Sequence, residues 1–580
     1  MKYIPWIQGL LLVSILSFPF GCKTSITKDL NEHSHTKLEE FNKEFEKKVY
    51  EVVPGVYSAV GFGIANSILI VGKEGLVIVD TLDDLKSSEE VFKEFRKIST
   101  LPVKAIFYTH SHPDHIFGSA SFLDGGKPEV YAHESLQPTV ERLASETTPI
   151  IGSRSARMFG NLLKGTDFIN AGIGPYLGYN RETRLDYIPP TRVFRDSLSV
   201  KIAGISLELI HAPGETDDQI YVWYPEKKVI FTGDNFYKAF PNLYTIRGTW
   251  FRSLKNWYQS LDIVRNLKPE HVVPSHGRPL SGSKEIYDVI TDYRDAIQYV
   301  HDQSLRGINQ GLHPDDLVES IKLPPHLARS PYLKEIYGKV SWSVRSLFNG
   351  NIGWFSGDPS DLHPLSKDRT AELLTELAGR KEKLLNIAKL KYSKEDFQTS
   401  LQLTGHILRI APKDPEAKKI RIQSLESLGR REENANARNY YLTEALELKE
   451  NFVAKLQVKP SKQLLRKYPV FVSLSSLITN LDPVKGADVN QKVGFRFRDT
   501  KEEFTIHIRN GVAELKTKLL EDADIVVELD SQEWKEMLSK IRNPLTTIVG
   551  FRYPKGNAVA FTRFLGNFSP LTPKLTFEKP

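Results

Sequence analysis

The apolar residues of the chain follow three patterns in succession. From about residue 46 to residue 290, short apolar runs that predict strands alternate with segments of helical spacing. Between about 291 and 450 the spacing is helical, and after about 455 a period of two returns, as in KVGFRFRDTKEEFTIHIR (492–509). These patterns predict an α/β domain, then an all-α domain, then a small α+β domain.

In the first domain, several predicted strands end in residues that can bind a metal. The segment 66–81 has two apolar runs separated by GKEG, which predicts a β-hairpin, and 87–100 has helical spacing. The run VKAIFYTH (103–110) predicts a buried strand that ends in histidine. Three later segments repeat this design: 205–214, 227–235 and 271–277. Because ligands gather at the carboxyl ends of strands in α/β proteins, we expect a site at this edge.

The N-terminal residues predict export. MKYIPWIQGLLLVSILSFPFGC has a lysine at position 2 and an apolar stretch of secretory-signal length before Cys22, the single cysteine of the chain. One cysteine in an exported protein fits lipidation better than disulfide chemistry. The segment resembles a bacterial lipoprotein signal, and the alternative is an ordinary signal peptide with an incidental cysteine. We predict a signal peptide at 1–22, a polar tether at 23–45, and anchoring to a bacterial membrane, facing the periplasm or the cell surface.

Charge adds little to this picture. The net charge of +7 is small for 580 residues, and lysine and arginine are spread along the chain. This distribution is typical of a solvated surface and predicts no nucleic-acid partner.

The segment THSHPDHIFG (109–118) is the most informative one for chemistry. Three of the fifteen histidines and one aspartate fall within six positions: His110, His112, Asp114 and His115. Imidazole and carboxylate groups are ligands of divalent metals such as zinc. The first two residues project to the same side of an extended stretch, whereas the chain turns after Pro113 and the last two face a second point. The spacing therefore predicts two neighbouring metal ions.

This segment resembles the signature of the metallo-β-lactamase fold, and further signature positions follow in the expected order. Asp80 resembles the early structural aspartate of that fold, and His276 in PSHG resembles its last ligand. Asp234 in FTGDN stands at the bridging carboxylate. Where the fold usually has Gly-His-Thr, this chain reads APGETDD, with Glu215 in the place of histidine. The exchange resembles the alkyl sulfatase branch. His211, four residues earlier, is the rival ligand, and we interpret it as structural.

The resemblance implies a complete dimetal ligand set. One metal would be held by His110, His112 and Glu215, the other by Asp114, His115 and His276, with Asp234 bridging. Asp114 and Asp234 are the predicted catalytic residues, although glutamate is common at the bridging position of the branch. The nitrogen-rich set favours two zinc ions, while the carboxylates also tolerate manganese or iron. We interpret His133 and His271 as surface or packing residues.

The likeness to alkyl sulfatases extends over nearly the whole mature chain. The helical region resembles their dimerisation domain, which implies a homodimer, and the tail resembles their sterol-carrier-like domain, which offers an apolar channel. NLYTIRG (242–248) resembles the segment that holds the sulfate group, so we predict that Arg247 and Asn242 bind substrate. The implied fold is a metallo-β-lactamase αββα sandwich, an all-α dimerisation domain and an α+β sterol-carrier-like domain, at 46–290, 291–452 and 456–580.

Three positions depart from the family pattern. Pro241 and Trp342 stand where histidine is usual, and Asn351 stands where tyrosine is usual. Proline and tryptophan cannot transfer a proton as histidine does. The predicted function is hydrolysis of sulfate esters of long-chain alcohols, small amphiphilic molecules, by a dizinc-bound hydroxide. The alternatives are the same centre acting on a carboxylic, thio- or phosphoester or a lactone, and a catalytically weak lipid-binding lipoprotein.

Overall fold

The computed structural model describes residues 37–456, 458, 460–571 and 573–574. The predicted signal peptide and Cys22 lie outside these residues. Within the described part of the chain, no helix is both long enough and apolar enough to cross a bilayer.

The described end of the predicted tether is packed against the first domain. Leu38 and Phe45 are buried there. The carboxylate of Glu44 forms ion pairs with Lys238 at 2.8 Å and with Arg278 at 2.9 Å. The last residues of the predicted tether, 37–45, thus contribute two buried apolar side chains and a paired carboxylate to the first domain.

Two sheets packed face to face form the first domain. The first sheet follows chain order: β1 (Lys48–Val53), β2 (Val56–Val60), β3 (Ser67–Val71), β4 (Leu76–Val79), β5 (Val103–Phe107), β6 (Glu129–His133) and β7 (Arg192–Phe194). The second has the order β13-β12-β11-β10-β9-β8, with β8 (Ser197–Ile202), β9 (Ile205–His211), β10 (Ile220–Tyr224), β11 (Val229–Gly233), β12 (His271–Pro274) and β13 (Leu280–Ser281). Buried apolar side chains such as Phe107 and Phe231 fill the layer between the sheets.

Helices cover the outer faces of both sheets, which confirms the predicted αββα sandwich. They are α1 (Leu85–Ile98), α2 (Pro113–Ile116), α3 (Leu136–Glu146), α4 (Thr148–Met158) and α5 (Leu254–Leu267). Short 3-10 turns lie at Asn42–Phe45, Ser119–Phe122, Gly165–Asp167, Pro225–Lys227 and Pro359–Leu362. The Asp84 carboxylate caps α1 by accepting from the backbone N–H groups of Lys86 and Ser87, and Val91 and Phe95 face the core. The predicted helix at 87–100 and hairpin at 66–81 are confirmed.

The second region is helical, as predicted. It contains α6 (Ser283–Asn309), α7 (Pro314–Ser320), α8 (Pro325–Arg329), α9 (Val340–Ile352), α10 (Lys367–Leu377), α11 (Lys381–Ser393), α12 (Phe397–Ile410), α13 (Pro415–Arg431) and α14 (Ala435–Glu450). The boundary predicted between 290 and 291 was wrong, since it falls inside α6. One apolar cluster runs from Trp257 of α5 through Ile290 and Val300 of α6 to Phe348 of α9, so this part of the helical region shares a core with the first domain.

A five-stranded sheet with helices forms the C-terminal domain, as the period of two predicts. The sheet has the order β16-β15-β14-β17-β18, with β14 (Gln491–Phe497), β15 (Glu503–Arg509), β16 (Val512–Lys516), β17 (Ile525–Leu529) and β18 (Arg552–Lys555). The helices are α15 (Lys462–Lys467), α16 (Val470–Ile478), α17 (Pro483–Gly486), α18 (Ser531–Leu538), α19 (Pro544–Gly550) and α20 (Ala558–Leu565). Aromatic residues such as Phe495 and Trp534 fill its core. Helix α16 contacts α3, and Leu464 joins a cluster of the first domain.

Candidate metal centre

The polar residues predicted at the strand ends converge at one edge of the sandwich. His110 comes shortly after β5, and Asp234 and His276 come directly after β11 and its parallel neighbour β12. Glu215 lies in the loop that follows β9. All four side chains are buried.

Two glycines allow the chain to approach closely at this edge. Gly233, just before Asp234, has a φ of +53°, and a Cβ there would lie 2.9 Å from the Cβ of Thr109. A Cβ on Gly214, just before Glu215, would lie 2.7 Å from the Cγ of Asn235. A side chain at either position would push a predicted ligand away from its place.

Six of the seven predicted ligands form two groups. Within each group, one donor atom from each residue lies within 4.8 Å of the others: His110, His112 and Asp234 in one, Asp114, His115 and His276 in the other. Asp234 also contacts the second group, because its Oδ2 is 3.0 Å from Nε2 of His276 and its Oδ1 is 3.5 Å from Nε2 of His115. Its carboxylate therefore lies between the groups.

Several buried nitrogen and oxygen atoms of the centre have no hydrogen-bond partner in the described ranges of the chain. These atoms are Nε2 of His115, Oδ1 of Asp234 and Oε2 of Glu215. Buried polar atoms are rarely left unpaired in native proteins. Imidazole nitrogens and carboxylate oxygens gathered in this way are the donors that a divalent cation takes. The donor set therefore fits two divalent cations.

Glu215 lies outside both groups. Its Oε1 accepts a hydrogen bond from Nη1 of Arg252 at 2.5 Å, while its Oε2 has no hydrogen-bond partner among the residues that the structure describes. Burial raises the pKa of the Glu215 carboxyl to about 7, although the Arg252 guanidinium opposes this shift. Sequence reasoning missed Arg252. The signal that could have found it is its position, five residues after Arg247 in the segment predicted to hold the substrate.

The carboxylate of Asp80 orients residues of the centre through hydrogen bonds. Asp80 has a φ of 56°, and its Oδ1 accepts from the backbone N–H of Thr109 at 2.8 Å. Its Oδ2 accepts from Oγ1 of Thr109 at 2.8 Å and from Oγ of Ser275 at 2.7 Å, and lies 2.7 Å from Nδ1 of His115. A carboxylate at Nδ1 keeps the proton there and leaves Nε2 for a metal. In the same way, Nδ1 of His276 lies 2.8 Å from a backbone carbonyl.

The surroundings of each predicted ligand shift the pKa of its side chain and so decide whether that side chain is charged. Burial lowers the pKa of His110 to about 3, so this imidazole is neutral. Burial opposes ionisation of Asp114 and Asp234, yet the neighbouring histidines outweigh it and lower the pKa of Asp114 to about 2 and that of Asp234 well below its usual value. Burial lowers the pKa of His115, but the carboxylates around it raise that pKa well above its usual range. A metal would displace this proton, because its ligands must be deprotonated.

Of the residues predicted to bind substrate, Arg247 contacts the first group, and Asn242 contacts the Arg252 guanidinium that pairs with Glu215. Nη2 of Arg247 is 3.2 Å from Nε2 of His112. The side-chain amide of Asn242 is fully buried, and within the part of the chain that the structure describes neither its oxygen nor its nitrogen has a hydrogen-bond partner. The backbone N–H of Asn242 donates to the hydroxyl of Tyr237 at 2.7 Å, and its carbonyl accepts from Nη1 of Arg252 at 2.6 Å. Asn242 is thus held rigidly with an amide that has spare hydrogen-bonding capacity.

The histidines interpreted as structural do not join either metal group. The rings of His133 and His211 stack with centroids 4.0 Å apart. Nε2 of His211 lies 2.7 Å from the carbonyl of Asp217. Nδ1 of His271 lies 2.8 Å from Oγ of Ser281.

The three positions that depart from the family pattern have ordinary packing roles. Pro241 is buried next to Asn242. Trp342 is half-buried, with the ammonium of Lys339 at 5.8 Å from its ring centre. Asn351 is exposed and donates to the carbonyl of Leu347. These contacts provide no group that could move a proton at the centre.

Comparison with known proteins agrees with this arrangement. Residues 60–276 match the metallo-beta-lactamase superfamily, and residues 313–451 match the alkyl sulfatase dimerisation family. A linear primary-alkylsulfatase of Pseudomonas sp. (strain ATCC 19151) is 38% identical over 519 residues, which cover 86% of this chain and 98% of that protein. An (R)-specific secondary-alkylsulfatase of Pseudomonas sp. is 25% identical over 552 residues, covering 92% of this chain and 82% of that one. The structure of the inverting sec-alkylsulfatase Pisa1 from Pseudomonas sp. superposes with a TM-score of 0.84 at 23% identity, covering 93% of this chain and 87% of that chain.

We expect Asp80→Asn to weaken metal binding by about ten- to a hundredfold, since it removes the charge that fixes His115 and one acceptor oxygen. Competition with a chelator would measure the affinity, and circular dichroism would report whether the variant is folded. Asp124→Asn is the matched control, because Asp124 also has a positive φ (46°) but its side chain is 52% exposed. Equal metal affinity in both variants would contradict the role of Asp80.

Proposed function

The chain belongs to the alkyl sulfatase family of the metallo-β-lactamase superfamily, and on this premise we propose that it hydrolyses sulfate esters of long-chain alcohols in a metal-dependent reaction. The observation that carries the proposal is the contact of Arg247 with His112 of the first metal group, together with the Arg252 guanidinium that Asn242 shares with Glu215. A cation and a spare amide next to a dimetal centre suit a substrate with one negative charge and several acceptor oxygens.

The metal groups would hold two zinc ions, with manganese or iron as alternatives. Such ions, when bound, polarise an ester oxygen and lower the pKa of water at the site. The first group together with Glu215 would hold one ion and the second group the other. Asp234 lies between the groups, with its Oδ2 also 3.7 Å from Nε2 of His110, and is the carboxylate placed to serve both.

Arg247 and Asn242 would bind the sulfate group. The guanidinium of Arg247 offsets the charge of the bound ester and the charge that develops on the departing sulfate. The amide nitrogen of Asn242 has no hydrogen-bond partner among the described residues and can donate to a sulfate oxygen. Because both residues are held in place before substrate arrives, little reorganisation is needed at the moment of reaction.

Of the two predicted catalytic carboxylates, that of Asp114 is more exposed to solvent than that of Asp234. Its side chain is 18% exposed, whereas that of Asp234 is 3% exposed. With its pKa lowered to about 2, Asp114 is ionised at neutral pH and can accept a hydrogen bond from the attacking water. Neither Pro241 nor Trp342 can protonate the leaving alcohol, so we expect slower turnover than a histidine at either position would support.

We expect the purified protein to release inorganic sulfate from dodecyl sulfate, and a chelator to abolish that release until zinc is restored. A panel of substrates at equal concentration would contain dodecyl sulfate, a carboxylic ester, a thioester, a phosphodiester and a lactone. Arg247→Ala should raise KM for dodecyl sulfate at least tenfold, because the sulfate loses its cation. If another ester of the panel is hydrolysed faster than dodecyl sulfate, that ester represents the substrate class of the centre. Tight lipid retention with no turnover in the zinc-loaded protein would support the lipid-binding alternative instead.

We also propose that the chain forms a homodimer through its helical region. The region carries a series of exposed apolar side chains: Ile352, Trp354, Leu362, Leu365, Leu377 and Leu390. Large exposed apolar side chains are often found where one protein chain contacts another. The match of 313–451 to the dimerisation family supports the same conclusion.

Light scattering after gel filtration should therefore give twice the mass of one chain. Combined substitution of Trp354 and Leu377 by aspartate should produce a monomer, because it places two charges in the contact. Val559→Asp and Val549→Asp together form the matched control, since these residues are 69% and 74% exposed, against 68% and 75% for the test pair, and lie in the C-terminal domain. A monomeric wild-type protein would disprove the dimer.

We propose finally that the protein is exported and lipid-anchored at Cys22, facing the periplasm or the cell surface. In a bacterial host, the full chain should fractionate with membranes and incorporate labelled fatty acid. Cys22→Ser should lose the label and appear in the soluble fraction, because the acylated thiol is absent. Unlabelled wild-type protein in the soluble fraction would favour an ordinary signal peptide.

A further inference from the structure

The first residues that the structure describes, 37–45, reach the surroundings of the second metal group, and we call this segment the arm. Phe41, Glu44 and Phe45 of the arm line the same small cavity as His276 and Gly277. The rings of Phe41 and Phe45 pack edge to face, with their centroids 5.3 Å apart. Because His276 is a predicted ligand of that group, the arm is part of the shell around the metal centre.

The backbone of the arm is fixed to the first domain by contacts that involve no charge. Leu38 and Phe45 are buried. Nδ2 of Asn170 donates to the carbonyl of Leu38 at 3.0 Å and to Oδ1 of Asn42 at 2.9 Å. An ion pair contributes most when its residues are already held in place, since less side-chain entropy is then lost on forming it. Glu44 therefore meets its partners from a segment that is held on the domain.

Glu44 joins two cations that follow two different metal ligands. Its Oε1 accepts from Nζ of Lys238 at 2.8 Å and from Nη2 of Arg278 at 2.9 Å, and its Oε2 accepts from Nε of Arg278 at 3.2 Å. Lys238 follows Asp234 by four residues, and Arg278 follows His276 by two. The side chain of Glu44 is 12% exposed. A carboxylate that accepts two parallel bonds from an arginine and one from a lysine has a better-defined geometry than an isolated surface pair.

The turn that contains His276 is held by contacts on both sides. Gly277 has a φ of +75°, and glycine by itself restrains the backbone little. On one side, Nδ2 of Asn66 donates to the carbonyl of Gly277 at 2.8 Å. On the other side, Arg278 is bound by Glu44. The position of the imidazole therefore depends on the arm as well as on the first sheet.

We propose that Glu44 is a positioning residue for the metal centre, and that the arm keeps His276 and Asp234 in place as ligands. Glu44 acts through Lys238 and Arg278 and touches neither metal nor substrate. The segment that joins the first domain to the predicted anchor would thus also support metal retention. This inference concerns the affinity for metal, so it does not depend on which ester the centre hydrolyses.

Metal affinity tests the proposal without any substrate. E44Q keeps the shape of the side chain and removes its charge. In chelator competition we expect it to weaken the metal of the second group by about tenfold, the lower end of the loss caused by removing a group behind a metal ligand. H276A identifies which of the two metal equivalents belongs to that group. R278M should cause a similar loss, and E44Q/R278M little more than either single variant, because all three remove the same contact.

E444Q is the matched control for removing a paired carboxylate. Glu444 of α14 is 15% exposed and accepts two hydrogen bonds from the guanidinium of Arg421 in α13. We expect E444Q to lower the melting temperature, as E44Q does, and to leave the affinity for both metals unchanged. The comparison therefore separates positioning of the ligands from a general loss of stability.

Three results would overturn the proposal. They are wild-type affinity for both metals in folded E44Q, losses in E44Q and R278M that add fully in the double variant, and an equal loss of affinity in E444Q. If E44Q does not fold, R278M and K238M decide the question against E444Q, because circular dichroism identifies which variants are folded. Sulfate release by the wild-type protein is measured separately. If it releases no sulfate from any ester, the proposed function fails, and the comparison of metal affinities still stands.

Discussion

The geometry of the centre depends on one buried carboxylate that binds both sheets at once. Asp80 follows β4, Thr109 follows β5 in the same sheet, and Ser275 follows β12 in the opposite sheet. Thr109 directly precedes His110 and Ser275 directly precedes His276, and both histidines are predicted metal ligands. Each of the two groups combines residues that follow β5 in the first sheet with a residue that follows β11 or β12 in the second. The apolar layer that separates the sheets therefore sets the distance across each group.

Charge within the centre is distributed unequally among its carboxylates. Asp80 has three hydrogen-bond donors and a histidine around it, and Glu215 has its own guanidinium. Among the described residues, the ion-pair partners of Asp234 are the imidazoles of His110, His115 and His276. Of these carboxylates, Asp234 thus depends most on bound cations for compensation. A shorter aspartate at this shared position keeps the charge close to the strand end that carries it.

The elements and most of the ligands could be predicted from the sequence because their signals are local. Alternation marked β14 and β15, and the segment from His110 to His115 showed its metal-binding character within six positions. Arg252 could not be predicted in this way, since its contacts with Glu215 and Asn242 depend on tertiary packing. The boundary at 290 was misplaced for a different reason. The apolar residues have helical spacing on both sides of residue 290. Because α6 is buried against α5 there, the amino-acid composition does not change at that position either.

Helix α6 makes the first domain and the start of the helical region one mechanical unit. Its N-terminal turns pack beside β12 and β13, and its C-terminal turns lie among α7 and α9, with one apolar cluster along its length. Neither region can melt far while the other stays intact, because 27 consecutive residues belong to both. Their heat denaturation should accordingly be a single cooperative event. For the same reason, domains can be exchanged between related enzymes only if the two chains are joined after Asn309, where α6 ends.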